Sequence, residues 1–107
     1  MNSEWIKVAA VGDVLDGEAL AAEAGEVAVC LYNIAGRLYA TQDSCTHEDA
    51  SLAGGYIDGD CIECPLHQAV FHIPTGEVRA APATKKLRVY PVKIENGDVL
   101  VEVGAGE

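Results

Sequence analysis

Two thiols and two imidazoles stand in two short segments of this 107-residue chain: Cys45-Thr46-His47 and, after a gap of sixteen residues, Cys64-Pro65-Leu66-His67. Each segment offers one thiolate and one imidazole, so together they present two soft sulfurs and two nitrogens to a single inorganic centre. Zinc accepts a Cys₂His₂ set, but finger motifs usually place a pair of cysteines before a pair of histidines. Here each segment carries one of each. A [2Fe–2S] cluster with two Cys on one iron and two His on the other needs that mixture, because each loop then contributes to both irons. Pro65 fits a ligand loop as well: it fixes φ and has no N–H, which stiffens the turn around the cluster. The expected ligands are therefore Cys45, His47, Cys64 and His67, and the expected task is electron transfer.

The other residues of that chemical type read as structural. Cys30 lies inside the apolar segment Val27-Ala28-Val29-Cys30-Leu31-Tyr32 and is expected to be a buried thiol acting as a small hydrophobe. Cys61 forms a Cys-x-x-Cys with Cys64, a spacing found in redox pairs and zinc knuckles. The segment reads as a strand entering the second loop, which makes Cys61 structural. His72 follows Phe71 in a strand-like stretch with no neighbouring Cys.

Around these loops the chain reads as short strands divided by turn signals, with no helical period. A first strand covers 5–9, and a hairpin joins 27–34 to 37–42 around Ala35-Gly36. Residues 56–57 and 61–63 are joined by Asp58-Gly59, a tight-turn dipeptide. Segments 69–73 and 77–79 flank Pro74-Thr75-Gly76, and 87–95 runs through Asn96-Gly97 into 99–103. The Ala- and Glu-rich stretch 16–25 is open between a loop and a short helical turn. The expected fold is all-β, an antiparallel sandwich or small barrel. It would be a single domain over 1–107, with a cluster-binding subdomain at about 43–82 inserted in a larger β frame. A further loop at Ala80-Ala81-Pro82-Ala83 could close over the cluster.

Composition bounds the function. A chain of 107 residues has room for one core. The longest unbroken apolar run, 27–32, is too short to cross a bilayer. The opening Met-Asn-Ser-Glu-Trp lacks the character of a signal peptide, so a cytoplasmic protein is expected, with its thiols reduced. Seventeen acidic against seven basic residues give a net charge of −10, which argues against nucleic acid or an anionic membrane as partner. An acidic face would steer docking onto basic patches of partner proteins; Glu48 and Asp49, directly after His47, are candidate rim charges.

Three runs of residues carry a family resemblance: Cys45-Thr46-His47, Ile62-Glu63-Cys64-Pro65-Leu66-His67-Gln68, and Tyr90-Pro91-Val92-Lys93-Ile94-Glu95-Asn96, with Trp5-Ile6 at the start. On these the chain resembles the Rieske-type ferredoxin component of bacterial aromatic-ring-hydroxylating dioxygenase systems, most of all the naphthalene and nitroarene dioxygenase group. Compared with Rieske proteins of the respiratory type, it has Ala50 and Leu66 where those carry a loop-tying disulfide. It has Ala69 and Phe71 where those carry a hydroxyl-bearing Ser and Tyr. Fewer donors leave the reduced, more negative cluster less stabilised. The resemblance thus implies a potential near the low end of the Rieske range, about −150 mV.

It also implies a relay in aromatic hydrocarbon catabolism. A flavoprotein reductase would take electrons from NAD(P)H, this monomeric carrier would receive them singly, and a terminal Rieske non-haem iron oxygenase would accept them. The carrier is not itself expected to be an enzyme. Non-haem iron oxygenation needs a 2-His-1-carboxylate site, and only His72 is left once the cluster takes two of the three histidines. An alternative reading is the Rieske small subunit of another reductase, such as an assimilatory nitrite reductase.

Overall fold

Runs of β-branched and aromatic residues, broken where Gly, Asn or Asp can turn the chain, set the architecture. The computed structural model describes residues 4–44, 51–65, 69–80 and 85–103. Its strands are β1 (Glu4–Ala10), β2 (Ala19–Ala24), β3 (Val27–Ile34), β4 (Arg37–Gln42), β5 (Tyr56–Asp58), β6 (Cys61–Glu63), β7 (Val70–His72), β8 (Val78–Ala80), β9 (Val89–Tyr90), β10 (Val92–Glu95) and β11 (Asp98–Val103). Single 3₁₀ turns lie at Val11–Asp13 (η1) and Leu52–Gly54 (η2). The strands form three antiparallel sheets in the orders β1-β11-β10, β2-β3-β4-β9 and β5-β6-β7-β8. The last of these lies, in chain order, between β4 and β9, which pair directly with each other through Ala40↔Tyr90 and Thr41↔Val89.

The hairpins follow turn chemistry. Ala35 and Gly36 both have positive φ, 54° and 88°, as a two-residue hairpin with the strands' own twist demands. The strain at Ala35 is offset by side-chain acceptors: Asp16 Oδ1 takes the Ala35 N–H and Asn33 Oδ1 takes the Gly36 N–H, each at 2.9 Å. Asn96 and Gly97 repeat the device between β10 and β11.

Two segments differ from expectation. The stretch 16–25 is neither loop nor helical turn; Ala19–Ala24 is strand β2, paired with β3 from Ala19↔Tyr32 to Ala24↔Val27. Alanine favours helices in isolation, but the ladder offered by the buried β3 outweighs a propensity of tenths of a kcal/mol per residue. The expected single strand over 87–95 is divided at Pro91, which has no N–H for a ladder. On one side β9 pairs with β4, and on the other β10 pairs with β11.

The run 29–32 is fully buried because β3 is covered on both faces, the situation in which a strand reads as continuously apolar. Val29 and Leu31 face one core with Ala40, Tyr90, Val99 and Val101. Cys30 and Tyr32 face the other, with Leu52, Ile62, Cys64, Ala69, Phe71, Ile73 and Leu87. Burying each large side chain of this kind contributes about 1.5–3 kcal/mol. The second core joins the small sheet to the frame and contains a candidate metal ligand. Its polar atoms are satisfied, with Tyr32 Oη and Thr41 Oγ1 2.9 Å apart.

Candidate metal centre

Cys64 follows β6 and is fully buried. Its N–H donates to the Ala69 carbonyl at 2.7 Å, so the loop carrying Leu66 and His67 is closed at its base between β6 and β7. Cys64 shares one buried core with Leu52, Ile62, Ala69 and Phe71, and with Tyr32, whose hydroxyl is paired with Thr41. The first ligand segment is closed in a comparable way. An isolated antiparallel bridge joins Ser44 to Ser51 on either side of residues 45–50. Cys45, His47, His67, Glu48, Asp49, Ala50, Leu66 and Pro82 lie outside the described residues.

Asp43 holds the exit of that first segment. Its carbonyl accepts the Leu52 N–H at 2.7 Å, its Oδ2 accepts the Ser51 hydroxyl at 2.7 Å, and its Oδ1 accepts the Ala53 N–H at 3.2 Å. The carboxylate thus accepts the Ala53 N–H at the start of η2, while the Asp43 carbonyl accepts that of Leu52. From there the chain packs onto the entry to the second segment. A Cβ placed on Gly55 would lie 2.1 Å from the Glu63 carbonyl oxygen, and one on Gly54 would meet the Pro65 ring at 4.0 Å. Gly55 is needed for this close approach, which sets the stems of the two ligand loops side by side.

The remaining candidates take structural places. The Cys30 thiol is pushed up to about 12 by burial, so it is not the thiolate that a metal requires. Cys61 is part of β6, its thiol raised by burial and by the neighbouring Asp60. His72 uses both ring nitrogens within the small sheet: Nδ1 lies 2.7 Å from Thr75 Oγ1 and Nε2 3.0 Å from Asp60 Oδ2. That contact holds the Asp60 carboxyl below its usual range and ties the β5–β6 turn to the β7–β8 turn. Among the described residues, no group of three or more His, Cys, Asp or Glu side chains comes together that could hold a metal ion.

Residue types in the two loops match the cluster. Two thiolates and two imidazoles are the donor set of a [2Fe–2S] centre with mixed ligation, and Cys64, the one candidate ligand among the described residues, is buried in the core. Sequence reasoning gave no role to Gln42 or Asp43. The only signal was an Asp-Ser pair before Cys45 and a Ser after residue 50, a pattern generic to turns.

Comparison with known proteins agrees with this geometry. The family model of the Rieske [2Fe-2S] domain matches residues 4–91. The ferredoxin component of a naphthalene 1,2-dioxygenase system from Pseudomonas putida is 41% identical over 103 residues, covering 96% of this chain and 99% of the relative. Among solved structures, a ferredoxin of Sphingomonas yanoikuyae B1 superposes with a TM-score of 0.89 at 37% identity, covering 94% of this chain and all of the other. A chain from the complex of reduced oxygenase and oxidized ferredoxin in carbazole 1,9a-dioxygenase superposes at 0.84 with 39% identity, covering 91% of each. With fold, loop chemistry and relatives in agreement, this chain belongs to the Rieske [2Fe–2S] domain family, among the electron-carrying ferredoxin components of aromatic-ring dioxygenase systems.

Proposed function

We propose that Cys45, His47, Cys64 and His67 hold the cluster, and that the chain works as a monomeric cytoplasmic shuttle. It would take single electrons from an NAD(P)H-dependent flavoprotein reductase and deliver them to a terminal Rieske non-haem iron oxygenase. When bound, the cluster supplies a one-electron redox couple. The chain's own residues do the rest. The paired stems at Ser44–Ser51 and Cys64–Ala69 hold the loops in place. Leu52, Ala69 and Phe71 pack in one buried core with Cys64, and Ala69 and Phe71 bring no hydroxyl where one would raise the potential. The single observation that carries the assignment is the buried Cys64 on a loop whose stem packs against the stem of the other Cys-x-His segment. The oxygenase partner is supported by the 39%-identical chain from a complex of ferredoxin with oxygenase.

The test is cluster retention. Replacement of Cys45, His47, Cys64 or His67 by Ala should give colourless protein without acid-labile sulfide, because ligand binding and ordering of the loops are coupled. Cys30→Ser and Cys61→Ser should stay red-brown. A Cys61→Ser variant without iron, beside a Cys45→Ala variant that keeps it, would sink the ligand assignment.

A further inference from the structure

We infer that Gln42 is a positioning residue for the metal centre, acting through both ends of its carboxamide; this rests on the ligand reading above. Gln42 ends β4, where the backbone ladder to β9 runs out. Its own N–H still reaches the Arg88 carbonyl at 2.9 Å. Its side chain then adds what amounts to one more peptide unit. Oε1 accepts the Arg88 N–H at 2.8 Å, and Nε2 donates to the Ser44 carbonyl at 2.8 Å. A backbone N–H must meet an oxygen and a backbone carbonyl must meet an N–H, so these two partners fix the orientation of the amide.

The position of that second bond gives it a function. The Ser44 carbonyl belongs to the peptide unit that joins Ser44 to Cys45, so Nε2 anchors the covalent entrance to a ligand. Asp43, the next residue, anchors the exit of the same loop through Ser51 and Ala53. Neighbouring side chains therefore hold the two ends of 45–50. Gln42 also connects that entrance to the segment 85–88, which is itself pinned to the β7–β8 turn by the Leu87 N–H on the Gly76 carbonyl at 2.8 Å. One neutral side chain thus ties the entrance of the first ligand loop to the segment 85–88. Outer partners that orient ligands typically matter 10–100-fold in metal affinity.

Two variants of the full chain separate this role from mere strand pairing. Gln42→Glu keeps an oxygen for the Arg88 N–H and lacks the donor for Ser44. Gln42→Met keeps the length and loses both bonds. Each purified holoprotein should release iron to a chelator roughly tenfold faster than the parent. The electron paramagnetic resonance g-values of the reduced cluster should shift as well. Parental release rates and parental spectra in both variants, even with a lower urea midpoint, would show that Gln42 only ties strands and would overturn the inference. Should Gln42→Met fail to fold, Gln42→Glu decides alone. A parent chain that binds no [2Fe–2S] cluster would instead sink the ligand reading, and the positioning role with it.

Discussion

At the scale of single residues, the candidate ligands stand out in the sequence because Cys and His in mixed pairs are scarce and chemically specific. The residues that secure the loops do not, since Gln, Asp and Ser serve generic hydrogen bonding anywhere in a chain. Burial adds what the sequence pattern could not: Ala69 and Phe71 share one dry core with Cys64. Ala69→Ser and Phe71→Tyr should each raise the midpoint potential where the new hydroxyl reaches a sulfur, because a donor stabilises the extra negative charge of the reduced state. A differential of about 1.4 kcal/mol corresponds to ~59 mV for one electron. Protein-film voltammetry reads the shift, and no rise in either variant would place these side chains away from the cluster. Cys30 carries a second prediction. Its folded pKa, raised by burial from 9.0 to about 12, lies above the unfolded value. The stability it contributes is thus complete below pH 9 and is lost as pH rises from 9 toward 12. Tyr32, raised by the same burial, acts in the same direction. Urea midpoints followed across that interval should fall in the parent and fall less steeply in Cys30→Ala; identical slopes would refute the contribution.

At the scale of elements, the sequence shows strands wherever apolar alternation meets a turn dipeptide, and it misleads where pairing decides. β2 has alanine-rich composition and exists because β3 offers a ladder. Pro91 divides a stretch that otherwise alternates like one strand, and the sheet order places its two halves in different sheets. The doubly buried β3 was visible as an apolar run, but not which core each side chain enters. The junction between the ligand stems was illegible, because a close backbone approach leaves only a glycine as its trace. Gly55→Ala tests it. A Cβ 2.1 Å from the Glu63 carbonyl oxygen forces the backbone of η2 or β6 to move, at a cost of about 1–3 kcal/mol. Gly76→Ala meets a similar clash, 2.3 Å from the Leu87 carbonyl oxygen, at a φ of +78°. Both variants should unfold at lower urea. Gly55→Ala should lower iron bound per folded chain more than Gly76→Ala does, since Glu63 directly precedes Cys64 whereas Gly76 reaches the centre only through 85–88 and Gln42. Equal iron contents would show that the junction is not needed to place the loops.

At the scale of the whole molecule, charge is the property most plainly readable from composition and least readable as a surface. The chain carries −10 overall, yet three of its seven basic residues, Lys85, Lys86 and Arg88, fall within 85–88, beside the stem of the first ligand loop. The acidic excess is therefore uneven around the site, which favours one orientation of approach by a charged partner. Redox encounters of this kind bury little area and dissociate readily, so rim charges act mainly on the rate of association. Glu48 and Asp49, although outside the described residues, adjoin His47 in sequence and are the acids expected to rim an interface centred on the two proposed histidine ligands. Glu48→Gln/Asp49→Asn should slow reduction of the oxygenase at low salt and flatten its dependence on ionic strength. The midpoint potential should change little by comparison. Stopped-flow reduction of the partner oxygenase over a series of salt concentrations measures both quantities, and an unchanged rate with an unchanged salt slope would move the docking surface elsewhere on the molecule.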